Sequence, residues 1–314
     1  MMNKNRKGSA EIPVVHLQDG SMRVSMLGHG AVTQGWWYKD QPLILGYEDP
    51  SQYLDDPFYL GAIVGRVANR IGGAGFELDG TRHALSANEG PNTLHGGSEG
   101  LSRQSWQIER LSRREAVLVH ISPDGTCGFP GAVRFEVRVR LDCPRLTYLI
   151  SAWPDRPTPI SIAQHNYYTL GSTQGISEHL LQLASHRHLE LDDQGIPRGG
   201  IVDSESVGLD FSSPRRIGQA AKDLDHFFLF RTGGMLDRPV AALAAPSGLT
   251  MTVRSDQPGA QVYSAAHLSA PFAPYAGVCI EPSGYPNAPN VPAFPAIVCA
   301  PDRPYRQTLI LEIT

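Results

Sequence analysis

The residues able to move protons or grip a polar ligand are unevenly spread along this 314-residue chain. Five stretches concentrate them. Residues 61–106 hold Gly65-Arg66-Val67-Ala68-Asn69-Arg70-Ile71 and Asn92-Thr93-Leu94-His95-Gly96-Gly97. The second stretch is Gln164-His165-Asn166-Tyr167-Tyr168-Thr169-Leu170-Gly171, and the third is Asp225-His226-Phe227-Phe228. The fourth is Gln257-Pro258-Gly259-Ala260-Gln261-Val262-Tyr263. The last is Ile280-Glu281-Pro282-Ser283-Gly284-Tyr285-Pro286-Asn287-Ala288-Pro289-Asn290. Polar side chains between glycines read as loops, and loops on a rigid scaffold are where function concentrates. Histidine, arginine, aspartate and glutamate here stand among aromatics. Charged hydrogen-bonding groups read hydroxyls, and the apolar face of a sugar packs on aromatic rings. These residue types therefore suit a sugar pocket.

The elements that must position them read as β-structure. Residues 133–141 alternate Val133, Phe135, Val137, Val139 and Leu141 with Arg134, Glu136, Arg138 and Arg140. That is strict period two, the pattern of an antiparallel strand with one greasy and one wet face. Residues 22–26, 116–121, 146–152, 249–253 and 309–313 read as further strands. Turn signals separate them: Asp79-Gly80, Asp124-Gly125, Pro154-Asp155, Asp193-Gln194-Gly195 and Pro246-Ser247-Gly248. Helical pattern is scarce; residues 217–224 make one short candidate, with Ile217, Ala220, Ala221 and Leu224 inward. Strands about ten residues apart with Gly/Pro turns predict an all-β sandwich or barrel. No internal repeat or composition break marks a linker, so residues 1–314 are expected to form one domain, with 1–10 a frayed terminus.

Composition narrows the classes further. Hydrophobic residues make up 41% and charged residues 18%, the balance of a globular chain rather than a disordered one. With a net charge of −4 there is no basic footprint for nucleic acid. Ser112-Arg113-Arg114 reads as a solvated turn. No apolar run approaches the roughly 18 residues of a membrane span, and no apolar segment follows the basic N-terminus, so the expectation is a cytoplasmic protein. Cys127, Cys143, Cys279 and Cys299 show no metal spacing and no disulfide framework, and read as buried thiols in a reducing compartment.

In order and spacing the polar segments resemble the aldose 1-epimerase (galactose mutarotase) family. The resemblance rests on the Gly-Arg-x-Ala-Asn-Arg-Ile run, the Asn-x-Leu-His-Gly-Gly run, the His-x-Tyr segment and the glutamate ahead of Pro-x-Ala-x-Asn. Asp124-Gly125-x-x-Gly128-x-Pro130-Gly131, Ile196-Pro197-x-Gly199 and Leu209-Asp210-Phe211 also match. Each motif is weak alone; the ordered set, from about Gly30 to Thr314, is specific. It implies a large antiparallel β-sandwich (a supersandwich, galactose mutarotase-like). The implied reaction opens and closes a sugar ring at the anomeric carbon with one acid and one base, and no cofactor.

The resemblance assigns roles. Glu281 matches the base, a task that suits a carboxylate raised toward neutrality by burial; otherwise it would read as a surface or salt-bridged glutamate. His165 matches the acid that protonates the ring oxygen, where the bland alternative is a satisfied core histidine. His95 matches a second histidine near that oxygen, against a turn-capping role. Arg70 and Asp225 match sugar-binding groups, with a structural ion pair as the alternative. Asn69 and Gln261 are weaker candidates for the same pocket, balanced against purely structural roles. Tyr167 suits a pocket wall, although an aromatic in a β core is commoner. No metal is expected, because the histidines lack His-x-x-x-His spacing.

Some positions depart from the family pattern. Tyr-Phe-Asn-Leu after the histidine is Tyr167-Tyr168-Thr169-Leu170 here. The glutamine two after the glutamate is Ser283. Pro-Asp-Ala is Pro286-Asn287-Ala288, and Tyr-Thr-Gly-Asn is Tyr263-Ser264-Ala265-Ala266. These leave the aldose open: galactose, a pentose, a deoxy sugar or another aldose. Two alternatives stand beside a mutarotase. One is a carbohydrate-binding protein without turnover, which would not need an acid/base pair. The other is a different sugar reaction, such as another epimerisation or a hydrolysis using Glu281 and Asp225 as paired carboxylates. The expected partner is a small sugar, with neither nucleic acid nor membrane, on a monomer or homodimer.

Overall fold

The computed structural model describes residues 12–220, 223–231 and 234–314. Among them every ladder between strands is antiparallel. The largest sheet has nine strands. Its middle runs Glu115–Ser122, Val133–Asp142, Arg145–Pro154, Tyr305–Ile313, Thr250–Ser255 and Ala241–Ala244, each bonded to the next. The alternation expected at 133–141 appears as written: Val133, Phe135, Val137, Val139 and Leu141 are all 0% exposed, while Arg134 and Arg140 face solvent. The other expected strands form with ends shifted by a few residues. Asp79-Gly80 turns the hairpin between Gly75–Leu78 and Thr81–Ala84.

Two further sheets close over this one. A four-stranded sheet contributes Val24, Met26 and Trp36 to the shared core. A five-stranded sheet runs Pro197–Asp203, Arg187–Leu191, Asp225–Leu229, Gly259–Tyr263 and Cys279–Ser283. One face of its last three strands carries Phe228, Ala260, Val262 and Ile280 into that core. Successive side chains on a strand point to opposite faces. The other face therefore presents Asp225, Gln261, Tyr263, Cys279 and Glu281, in register across three strands.

The short helix expected at 217–224 does not form. Ile217–Gln219 make a single 3-10 turn, the chain is extended again at Ala220, and Leu224 is buried at the entry to the strand Asp225–Leu229. Ala221 lies outside the described residues. Spacing of four apolar residues was too short a window to separate a helix from a turn leading into a buried strand.

Candidate active site

All seven residues singled out from the sequence line one pocket of about 270 Å³: Asn69, Arg70, His95, His165, Asp225, Gln261 and Glu281. That size is at the small end for ligand sites. Larger hollows, of about 630, 560, 470 and 430 Å³, lie elsewhere. None of these gathers a buried carboxylate with histidines, so volume alone does not find the site.

The floor is the outward face of the five-stranded sheet. Gln261 and Glu281 are directly opposite one another, and Asp225 is opposite Tyr263. Glu281 is only 4% exposed. Its one polar contact among the described residues is His165, with Oε1 3.6 Å from Nε2. Burial, with the charge of Asp225 adding to it, holds the carboxyl well above its ordinary range. Burial also lowers the His165 imidazole to about 4. Cys279, one pleat before Glu281, brings Sγ to 3.7 Å from Nδ1 of His165, and burial pushes its thiol up.

His165 follows the short strand Ala163–Gln164, which pairs with Ile63–Val64. Its own N–H donates to the Ala62 carbonyl at 2.9 Å, and its carbonyl accepts from Gly61 at 3.0 Å. The main chain of His165 is thus fixed on both sides, which sets where its ring enters the pocket.

His95 sits in a left-handed turn, with φ 52°, after the pairing of Arg70–Ile71 with Thr93–Leu94. Gly96 follows because a Cβ there would fall 2.0 Å from the Gly65 carbonyl oxygen. The Asn69 backbone N–H donates to His95 Nδ1 at 3.1 Å. A backbone N–H can only donate, so Nδ1 is bare and the proton of the neutral ring sits on Nε2. Burial, then His165 and Arg70, hold His95 well below the usual histidine range, so it stays neutral. The Asn69 side chain accepts the Arg70 N–H at 2.7 Å. Asn69 therefore shapes the turn as well as bordering the pocket.

Arg70 is both a pocket residue and half of an ion pair. Nε and Nη2 donate to the two oxygens of Glu89 at 2.6 and 2.8 Å. Nη1 lies 3.7 Å from Asp225 Oδ2. Asp225 Oδ1 accepts from Gln261 Nε2 at 2.6 Å. Arg66, four residues before Arg70, is buried and donates to the Pro123, Pro130 and Gly131 carbonyls, organising the 123–131 turn. Two arginines in one motif thus have opposite fates.

Sequence reasoning missed Glu89, Pro57, Phe58, Tyr59 and His267. Tyr59 packs on His95 with ring centres 4.7 Å apart, and His267 stacks near Tyr263 at the rim. Glu89 stands beside Asn88 in a stretch already marked as polar. The others carry no local signal. Tyr167 is both wall and core: it lines the pocket and is 3% exposed. The departures Thr169, Ser283 and Asn287 are buried and do not line the pocket. Asn287, at φ 57°, accepts from the Gly72 N–H and donates to the Pro197 carbonyl, both at 3.0 Å.

A β-sandwich whose small polar pocket holds a buried carboxylate against a histidine has the groups that acid/base chemistry uses. The comparisons with known proteins narrow that chemistry. Residues 13–312 match the family model described as aldose 1-epimerase. The galactose mutarotase of Sus scrofa is 30% identical, covering 96% of this chain and 94% of that protein. The aldose 1-epimerase of Escherichia coli K12 is 31% identical, covering 93% and 84%. The chain belongs to the aldose 1-epimerase family, whose named members are isomerases. Among solved structures, an aldose epimerase homologue from C. elegans superposes with a TM-score of 0.92 at 23% identity, over 97% of this chain and 99% of that one. Galactose 1-epimerase from Lactobacillus acidophilus gives 0.89 at 25% identity, over 100% and 97%.

Proposed function

We propose that this chain is an aldose 1-epimerase in which Glu281 is the base and His165 the acid. The observation that carries the reading is the Glu281 carboxylate. It is buried, has no hydrogen bond among the described residues, faces the pocket, and stands 3.6 Å from an imidazole. Its oxygens open on the pocket rather than being sealed in the core, so a ligand there can supply the hydrogen bond the protein does not.

The reaction balances with these groups alone. Glu281 takes the proton of the anomeric hydroxyl, and the O–H pair becomes the second bond of a C1 aldehyde. The C1–ring-oxygen bond breaks, its electrons go to the ring oxygen, and His165 protonates that oxygen. Rotation about C1–C2 turns the other aldehyde face to the freed hydroxyl, and the reverse transfers close the ring. Both oxygens are bonded to one carbon, which suits an acid and a base in mutual contact. Glu281 and His165 act as a unit with one proton between them. Burial favours that proton on the carboxyl at rest; the reacting form carries it on the imidazole. His95 offers its Nε2–H to the ring oxygen as charge develops. Arg70, Asp225 and Gln261 grip hydroxyls and hold C1 against the pair. Asn69 acts chiefly through His95.

The reading extends to a single domain, because one core is shared by the three larger sheets. It also extends to a cytoplasmic setting, supported by four free thiols. No helix among the described residues is long and apolar enough to cross a membrane.

The test follows optical rotation or proton NMR of freshly dissolved α-anomers of galactose, glucose, xylose, arabinose and fucose. Parent enzyme is run beside Glu281→Gln and His165→Asn. Accelerated equilibration by the parent is expected, with a loss of about 10²–10⁴-fold in each variant. Undiminished rates in either variant would remove it from its assigned role.

A further inference from the structure

Cys279 and Glu281 project from the same side of one strand, and His165 faces both. The three are 0%, 4% and 4% exposed in the order Cys279, His165, Glu281. One donor atom from each lies within 4.8 Å of the other two. Linear spacing hid this trio, because the histidine comes from a different part of the chain.

Distances decide what the trio can hold. A tetrahedral zinc ion with Zn–S of about 2.3 Å and Zn–N of about 2.0 Å separates sulfur from nitrogen by about 3.5 Å. Here Sγ is 3.7 Å from Nδ1 of His165. The carboxylate instead approaches Nε2, at 3.6 Å. One set of donor atoms lies within 4.8 Å of one another, so closing to the spacing of about 3.5 Å around a tetrahedral ion needs the carboxylate or the ring to shift by up to about 1.3 Å. Thiolate, imidazole and carboxylate select a soft or borderline cation over Mg²⁺ or Ca²⁺. Charge balances as well. The entering dication displaces two protons to solvent, one from the thiol and the one held between Glu281 and His165; the S–H pair becomes the sulfur–metal bond, and no oxidation state changes. One thiolate and one carboxylate then neutralise the ion, and the pocket leaves a fourth position for water.

We infer that His165, Cys279 and Glu281 form an inhibitory binding site for Zn²⁺ or a soft relative such as Cd²⁺. Occupancy removes both proton-transfer groups from the sugar. The inhibition rests on the function proposed above; the binding does not.

The experiment titrates full-length protein with Cd²⁺, Zn²⁺ and, as a control, Mg²⁺ in chelator-free buffer. Binding is read from the thiolate–cadmium ultraviolet charge-transfer band and by calorimetry, neither of which needs turnover. Anomer equilibration is followed in the same samples. Cd²⁺ should raise the band and cut the rate by about tenfold or more, with recovery on EDTA and no response to Mg²⁺. Cys279→Ser and Cys279→Ala should lose most of the band and about tenfold in sensitivity, each judged against that variant's own metal-free rate. Saturating sugar should suppress the band in the parent, which decides the matter without any variant. No band at all, equal sensitivity in the Cys279 variants, or a band indifferent to a sugar that the protein equilibrates overturns the site. A sugar-suppressed band in a protein that equilibrates no anomer supports the site and overturns the functional reading instead.

Discussion

Gln261 and Glu281 stand directly opposite each other on adjacent strands, and Gln261 spends its amide on Asp225 at 2.6 Å. One glutamine thus separates two carboxylates whose charges oppose each other, while fixing the rotamer of the exposed one. A hydrogen bond to a charged group is worth about 1.5–3 kcal/mol when desolvated, and less at this half-open site. Gln261→Ala should raise KM about tenfold with a smaller effect on kcat, in progress curves over a sugar concentration series. Gln261→Glu should be worse than alanine, because it sets a third carboxylate between the other two. Parity between the two substitutions would reject the spacing role.

Arg70 is gripped by Glu89 at 2.6 and 2.8 Å, a fork that fixes the guanidinium plane. Glu89 is about one-third exposed, so solvent discounts the pair. Glu89→Ala should raise KM about three- to tenfold and leave thermal stability within about 0.5 kcal/mol. Glu89→Asp, with a shorter reach, should fall between. A loss confined to kcat would show that Arg70 needs no such support.

The Glu281 carboxylate is buried without a hydrogen bond among the described residues. Strained or under-satisfied active sites trade stability for activity. Glu281→Gln should therefore abolish turnover yet stabilise the fold by about 1–2 kcal/mol at pH 8, read as a rise in Tm. A fall in Tm would mean the carboxylate is better satisfied than its contacts indicate.

Burial lowers the pKa of His29, His95 and His179 from 6.5. The unfolded chain then binds protons that the folded chain refuses. Their contribution to stability is full above about pH 6.5 and is lost as pH falls below it toward each folded value. Each proton is worth up to about 1.4 kcal/mol per pH unit in that window. His179 is 0% exposed, with Nε2 2.9 Å from the Thr169 carbonyl. His179→Gln should flatten the fall in urea-unfolding stability between pH 6.5 and 5 by up to one proton's slope. An unchanged slope would show that this ring is not buried neutral.

Asn287 replaces the aspartate usual in the family, and its amide donates to the Pro197 carbonyl while its oxygen accepts from Gly72. Its own N–H donates to the Arg70 carbonyl at 2.9 Å. Asn287→Asp would lose the donor and bury a charge, costing about 1–3 kcal/mol. Because Asn287 does not line the pocket, the ranking of sugars should stay the same. A reordered ranking in the anomer panel would make this position a determinant of specificity after all.

Parts of this molecule are legible from local pattern, and parts are not. The strand Val133–Asp142 can be read from its residues because one face meets the core and the other meets water. The strands Gly259–Tyr263 and Cys279–Ser283 escape the same reading. Both of their faces are covered, one by the core and one by the site, so polarity no longer alternates. Ile217, Ala220 and Leu224 mislead because a few apolar residues fit a turn and a strand entry as well as a helix. The candidate residues, by contrast, follow from the resemblance of the ordered motifs to the aldose 1-epimerase family, which local structure does not blur.

Residue order by itself determined the β class, the wet sheet and the polar stretches; resemblance to the family then singled out the seven residues that line one pocket. Tertiary structure alone decided that Arg66 is spent on the 123–131 turn and that Glu89 grips Arg70. It also decided which nitrogen of His95 holds the proton, and that Cys279 touches His165. The physical reason is the same in each case. Side-chain chemistry and strand period are local, whereas tautomers, ion pairs and metal-like trios depend on atoms brought together from distant parts of the chain by sheet register.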